Sequence, residues 1–148
     1  MKLYELLDDP IVRYEKGGRL YLKSTKEEIG SVQFDVEKNC TFKKVNKYFE
    51  KDKKAKKQLL KLDLPEKFNY VYLDEIKLQK EFRGKGLGEH ALSAAINSIP
   101  SPKMIALSPG EITKKVKFSS LKRFYTNAGF KVFRSSSDEN FGFMFIDQ

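Results

Sequence analysis

Thiol is nearly absent from this chain: Cys40 is its one cysteine. No disulfide can form within it, which fits a reducing compartment. Histidine is as scarce, with His90 alone, and a single imidazole cannot build a metal cluster. Long apolar runs are also missing; nothing approaches the roughly 20 residues of a membrane span. The opening MKLYELLDDP places Glu5, Asp8 and Asp9 where a secretory peptide runs apolar. A soluble cytoplasmic protein is therefore expected. There is no repeat and no long Gly/Ser or Pro linker.

The 148 residues suit one domain, spanning 1–148. With 40% hydrophobic and 33% charged residues, the chain can build a core. Its net charge of +9 is unevenly spread. Residues 41–67 carry ten basic and four acidic groups, whereas residues 1–40 carry seven and eight. That balance favours an anionic partner or ligand, such as a nucleotide cofactor, RNA or an acidic surface.

Gly17-Gly18 reads as a turn before a strand at Arg19–Lys23. Residues 30–36 alternate, with Val32, Phe34 and Val36 on one face, and make a half-buried strand hairpinned to the first. Residues 41–62 are helical, with Phe42, Val45, Tyr48 and Phe49, then Leu59, Leu60 and Leu62, recurring at helical spacing. The apolar-free run Lys51–Lys54 predicts two short helices or one bent one, with a lysine-rich outer face. Phe68–Leu78 is the longest strand candidate. A helix from Leu87 to about Ser98 turns Leu87, Ala91, Ala94, Ala95 and Ile99 to the core and stops at Pro100 and Pro102. A short buried strand at Lys103–Leu107 precedes a turn at Pro109-Gly110. A helix then runs from a cap at Ser119 or Ser120 through Tyr125 to a left-handed terminator at Gly129. Two closing strands follow, near 130–135 and 141–146. The order predicts an α/β fold with mixed packing around one twisted sheet.

Residues 83–88, Arg-Gly-Lys-Gly-Leu-Gly, lie between a predicted strand and a predicted helix. A phosphate at such a junction is held by backbone N–H groups, which need close approach; glycine permits it. The first helical turn offers unpaired N–H groups and a partial positive charge. Arg83 and Lys85 add full charge. The spacing fits neither a P-loop nor a dinucleotide fingerprint after the first strand. The alternative is a glycine-rich turn with no ligand.

Arg83-x-x-Gly86-x-Gly88 resembles the Arg/Gln-x-x-Gly-x-Gly/Ala signature of the GNAT superfamily of N-acetyltransferases. Leu73-Asp74-Glu75-Ile76-Lys77-Leu78 before it is similar to that family's approach strand. Phe124-Tyr125-Thr126-Asn127-Ala128-Gly129-Phe130 is similar to its late F-Y-x-x-x-G-F segment. The similarity covers roughly residues 70–133. It implies a GNAT fold: a mixed, mostly antiparallel twisted central sheet flanked by helices, here with a basic helical segment before the central strand.

The resemblance implies acetyl-CoA as cofactor and transfer of its acetyl group to a primary amine by direct attack. It places the pantetheine arm along the exposed backbone of Ile76, Lys77 and Leu78. It places the pyrophosphate at Arg83, Gly84, Lys85, Gly86, Leu87 and Gly88, and the adenosine 3′-phosphate near Lys122, Arg123 or Lys131. Asp74 and Glu75 are the candidate bases, acting directly or through water. They face opposite ways on a strand, and the family register favours Asp74. A backbone N–H at Ile76 or Lys77 is the candidate oxyanion donor. Tyr125 is the candidate general acid, because a phenol of pKa about 10 is protonated at neutral pH and can donate to a thiolate whose thiol has a pKa of roughly 8.5.

His90, in the helix after the loop, is expected at the surface or beside the cofactor. Cys40 lies outside the resembling segments and is not read as a nucleophile. The lysine-rich stretch 43–61 reads as a solvated helix face or as an RNA contact. The chain departs from the family in two places. Relatives put two helices after their first strand, whereas here the helical stretch follows the second. Relatives often carry Asn seven residues before the late tyrosine, where this chain has Phe118. The acceptor is expected to be a small amine or an amine on an anionic carrier, because a +9 chain repels highly basic substrates unless a local acidic pocket exists. Alternatives are an RNA-linked amine such as aminoacyl-tRNA, and a non-catalytic acyl-CoA- or nucleic-acid-binding module. The protein is expected as a monomer or homodimer.

Overall fold

Alternation and β-branched or aromatic content carry residues 68–78 into an 11-residue strand, and a computed structural model of the chain places it centrally in the strand order. The structure describes residues 8–108, 118–136 and 139–147; for 118–121 it describes the backbone alone. Its strands are β1 (Val12–Glu15), β2 (Arg19–Leu22), β3 (Glu28–Cys40), β4 (Phe68–Leu78), β5 (Lys103–Leu107), β6 (Lys131–Arg134) and β7 (Asn140–Ile146). The helices are α1 (Phe42–Tyr48), α2 (Lys53–Leu60), α3 (Leu87–Asn97) and α4 (Phe118–Ala128). The strands hydrogen-bond in the order β1-β2-β3-β4-β5-β7-β6. The β1–β2, β2–β3, β5–β7 and β6–β7 pairs are antiparallel and β4–β5 is parallel. This is an α/β architecture with a mostly antiparallel sheet. A parallel pair needs a crossover connection, and α3 occupies it. No helix among the described residues is long and apolar enough to cross a membrane.

By internal packing the chain divides into two units, Met1–Phe34 with Asp74–Pro100, and Asp35–Leu73 with Ser101–Gln148. In the first, α3 packs against β1, with Val12, Leu20, Ile29 and Val32 of the strands and Ala91, Leu92, Ala95 and Ile96 of the helix buried. The alanines let the helix approach closely. In the second, Phe143 is fully buried and meets Phe49 and Phe133 edge to face, at centroid separations of 5.0 and 5.1 Å. Val45, Leu59, Phe68 and Met104 join the same core.

The two short helices form as their sequence predicts, each under its own cap. Thr41 Oγ1 accepts from Lys44 N at 3.3 Å, and Asp52 Oδ1 accepts from Ala55 N at 3.0 Å. The apolar assignment within them needs correction. Tyr48 is 51% exposed and Leu60 68% exposed, whereas Val45, Phe49 and Leu59 form the buried stripe. Val36 is exposed as well, and β3 runs on to Cys40 rather than ending at 36. Strand numbering also shifts. The Gly17-Gly18 turn joins β2 to a preceding strand, β1, so the first hairpin is β1–β2.

Helix α4 begins at Phe118, so neither Ser119 nor Ser120 is its cap; the predicted turn at Pro109-Gly110 lies outside the described residues. Its end matches expectation. Gly129 has φ +112°, Gly129 N donates to Thr126 O at 3.1 Å and Phe130 N donates to Tyr125 O at 3.0 Å. These two bonds form a Schellman terminator. Gly129→Ala is expected to cost about 1 kcal/mol, because a Cβ is strained at that φ. An unchanged thermal midpoint would contradict this.

Candidate functional site

The parallel β4–β5 register runs from Asn69↔Lys103 to Leu73↔Leu107. Strand β4 continues to Leu78, so Glu75–Leu78 extend it beyond its last β5 partner. On its other side the strand end is held to β3, where Gln79 N donates to Ile29 O at 2.7 Å. Gly30 allows that approach: a Cβ there would sit 2.9 Å from Leu78 Cα and closer still to the Lys77 carbonyl oxygen. A short 3₁₀ turn at Lys80–Phe82 then leads into the glycine-rich loop.

Within the loop, Gly84 has φ +71° and Gly86 φ +75°. Both are left-handed, and a Cβ at either would meet nothing within 4 Å. Glycine is thus needed here for conformation, and the space beside both positions is open. Gly86 is the N-cap of α3 and offers no side chain to cap it. The helix's first N–H groups, at Leu87, Gly88 and Glu89, therefore lack intrahelical partners. Gly88 lies inside α3 and needs no special dihedral.

The charges around the loop are mixed. Lys77, Lys80, Arg83 and Lys85 are exposed, and so are Glu75, Glu81 and Glu89. Arg83 is anchored through Nε, which donates to Leu78 O at 2.9 Å. The Lys85 ammonium lies 5.9 Å from the Phe82 ring centroid. A recess of about 490 Å³ opens between β3 and the end of β4, lined by Gly30, Ser31, Lys77, Lys80 and Arg83 among others. It borders the approach to the loop, and none of residues 84–88 lines it.

The residues expected for donor binding, Ile76–Leu78 and Arg83–Gly88, fall in one packing unit on consecutive elements. Asp74 and Glu75 are both exposed and, as neighbours on β4, face opposite ways. Tyr125 belongs to the other unit. It is 7% exposed and stacks edge to face with Phe124 and Phe130, at 5.1 and 5.8 Å. Burial pushes its phenol above the ordinary value. Lys122, Arg123 and Lys131 are all exposed. The side chain of Phe118 lies outside the described residues.

Two other side chains were singled out in the sequence, His90 and Cys40. His90 is less exposed than a surface position would make it. It is half-buried on the first turn of α3, with Nδ1 3.1 Å from Oδ2 and 3.2 Å from Oδ1 of Asp9. The Asp9 carboxylate is 0% exposed and its Oδ1 accepts from Ile11 N and Val12 N at 2.9 and 2.8 Å, fixing the entry to β1. The Asp9-Pro10 pair is the turn signal that could have located it. Cys40 is buried, and burial raises its thiol above the ordinary value, which disfavours a thiolate nucleophile. No cluster of metal-ligating side chains occurs among the described residues.

The second unit holds a larger groove, of about 710 Å³. Tyr48, Phe49, Tyr70, Tyr72 and Phe141 form its aromatic lining. The sequence hint was the pair of tyrosines two apart on one strand, Tyr70 and Tyr72, which share a face of β4. No family model matches the chain, and a search of the curated proteins finds no significant match.

Proposed function

We propose that the chain is an acetyl-CoA-dependent N-acetyltransferase acting on a primary amine. The observation that carries this reading is the continuity of three features: a strand end past its parallel partner, a loop with two left-handed glycines, and an uncapped α3 N-terminus. The segment with these features is the one that resembles the GNAT signature. The space beside Gly84 and Gly86 is open, since a Cβ at either would meet nothing within 4 Å, and this leaves the loop N–H groups room to approach a diphosphate. Loop N–H groups and Lys85 would hold the diphosphate, with Arg83 bracing the loop through Leu78 O. Backbone groups of Ile76–Leu78 would hold the arm that follows.

Acetyl-CoA, when bound, supplies an activated acyl thioester. The acceptor ammonium must first lose a proton, and the exposed carboxylates of Asp74 or Glu75 can take it through water. The N–H groups of Ile76 or Lys77 are the donors available for stabilising negative charge. Tyr125 keeps its proton firmly, since burial raises its phenol. With the departing thiol near 8.5, Tyr125 acts as a hydrogen-bond donor rather than by complete proton transfer.

Calorimetric titration with acetyl-CoA tests the reading. Wild type is expected to bind, and Gly84→Val with Gly86→Val to bind at least about tenfold more weakly, through strained φ and a filled cradle. Tyr125→Phe is expected to bind normally and turn over about 10- to 100-fold more slowly against an amine panel. Absence of wild-type acetyl-CoA binding ends the proposal, and full turnover in Tyr125→Phe removes that residue's role.

A further inference from the structure

The chain-wide charge of +9 should repel organic cations, yet the groove of the second unit is locally reversed. Glu50, Asp52 and Glu139 line it against Lys47 and Lys51. Asp52 decides its chemistry. The residue is 8% exposed. Its Oδ1 accepts from Ala55 N at 3.0 Å and from Ser136 N at 3.1 Å. Its Oδ2 is buried and accepts no hydrogen bond among the described residues. Burial works to raise its carboxyl, but hydrogen bonds from the Ala55 and Ser136 amides and from the Ser135 and Ser136 hydroxyls outweigh it, and the group lies below its ordinary value. Asp52 is therefore held as a charged carboxylate in the groove's lining, beside the exposed Glu50 and Glu139.

The walls suit the same ligand. Tyr48 and Tyr70 lie 5.5 Å apart between ring centroids, and Phe49, Tyr72 and Phe141 complete the aromatic lining. Tyr48 Oη donates to Glu37 at 2.6 Å, which fixes that ring. Burial keeps the Tyr70 phenol neutral far above physiological pH. Neutral aromatic faces attract cations and stack on apolar bodies. We infer that this groove binds an organic cation, a protonated primary amine carried on an aromatic or apolar body. The inference stands on the second unit alone, independently of the acetyl-CoA reading.

The probe is 2-phenylethylamine, titrated at low salt into isotopically labelled protein and followed by amide shifts. 2-Phenylethanol and 3-phenylpropionate serve as its neutral and anionic counterparts. Shifts are expected at residues 47–52, 70–72 and 139–141, with the alcohol about tenfold weaker, since a charge-assisted hydrogen bond is lost. The propionate is expected not to bind. Glu139→Gln, an exposed change, and Asp52→Asn, which retains a capping side chain, are each expected to weaken the amine roughly five- to tenfold. Equal affinity for amine and alcohol, tighter binding of the propionate, shifts confined elsewhere, or no effect of either variant would each overturn the assignment. Acetyl-CoA titration of the same samples reads the loop separately.

Discussion

Gly30→Ala is expected to destabilise the protein by about 3 kcal/mol or more, at the upper end of overpacking costs. The obstacle is backbone, not a side chain that can swing aside: the new Cβ would sit 2.9 Å from Leu78 Cα and nearer to the Lys77 carbonyl oxygen. Neither strand can retreat cheaply, because Gln79 N is bonded to Ile29 O one residue away. Denaturant titration checks this through a lower midpoint at unchanged slope. The same substitution displaces Lys77 and Leu78, so acetyl-CoA binding is expected to fall even where the variant remains folded. A midpoint matching wild type would show that β3 and β4 are farther apart than described.

Raising the pH from 8 to 10 is expected to stabilise the protein. Lys103 opens β5 and is almost wholly buried. Burial lowers its ammonium from 10.5 to about 8. Below pH 8 the amine is charged in both folded and unfolded chains, and the fold bears the net cost of burying that charge. Between about 8 and 10.5 the unfolded chain binds the extra proton, so stability rises, by about 3 kcal/mol over the whole window. Above pH 10 the trend reverses. Tyr70 and Tyr125 hold their protons in the fold while the unfolded phenols ionise, and stability then falls. Lys103→Met is expected to be more stable than wild type at pH 7 and to lose the alkaline gain. A flat wild-type profile from pH 8 to 10, or the same rise in Lys103→Met, would remove the buried ammonium as its cause.

The parts of the fold readable in advance are those set by neighbours in the chain. Phe68–Leu78 matches β4 residue for residue, since alternation with aromatic and branched residues is a local signal. The apolar-free run Lys51–Lys54 marks the junction of α1 and α2, although its last two lysines already belong to the first turn of α2. Gly129 ends α4 by its own dihedral preference. By contrast β1 went unseen: Val-Arg-Tyr-Glu has one buried residue, and pairing with β2 and packing under α3 make it a strand. Tyr48 and Leu60 carry helical spacing yet face solvent, because a short helix buries only a narrow stripe.

The sequence alone determined where a glycine-rich strand-to-helix loop belongs, because that requirement is a backbone one. Left-handed turns at Gly84 and Gly86 and a helix beginning at Leu87 follow from residues within a few positions of each other. It left the aromatic groove of the second unit unseen, for a physical reason. The groove draws Tyr48 from α1, Tyr70 and Tyr72 from β4, and Phe141 from β7, with Asp52 at the start of α2, so only long-range packing assembles it. The same holds for Asp9 and His90, 81 residues apart and in contact. Tertiary structure alone decided the local sign of charge: three carboxylates gather in a groove of a chain whose net charge is +9.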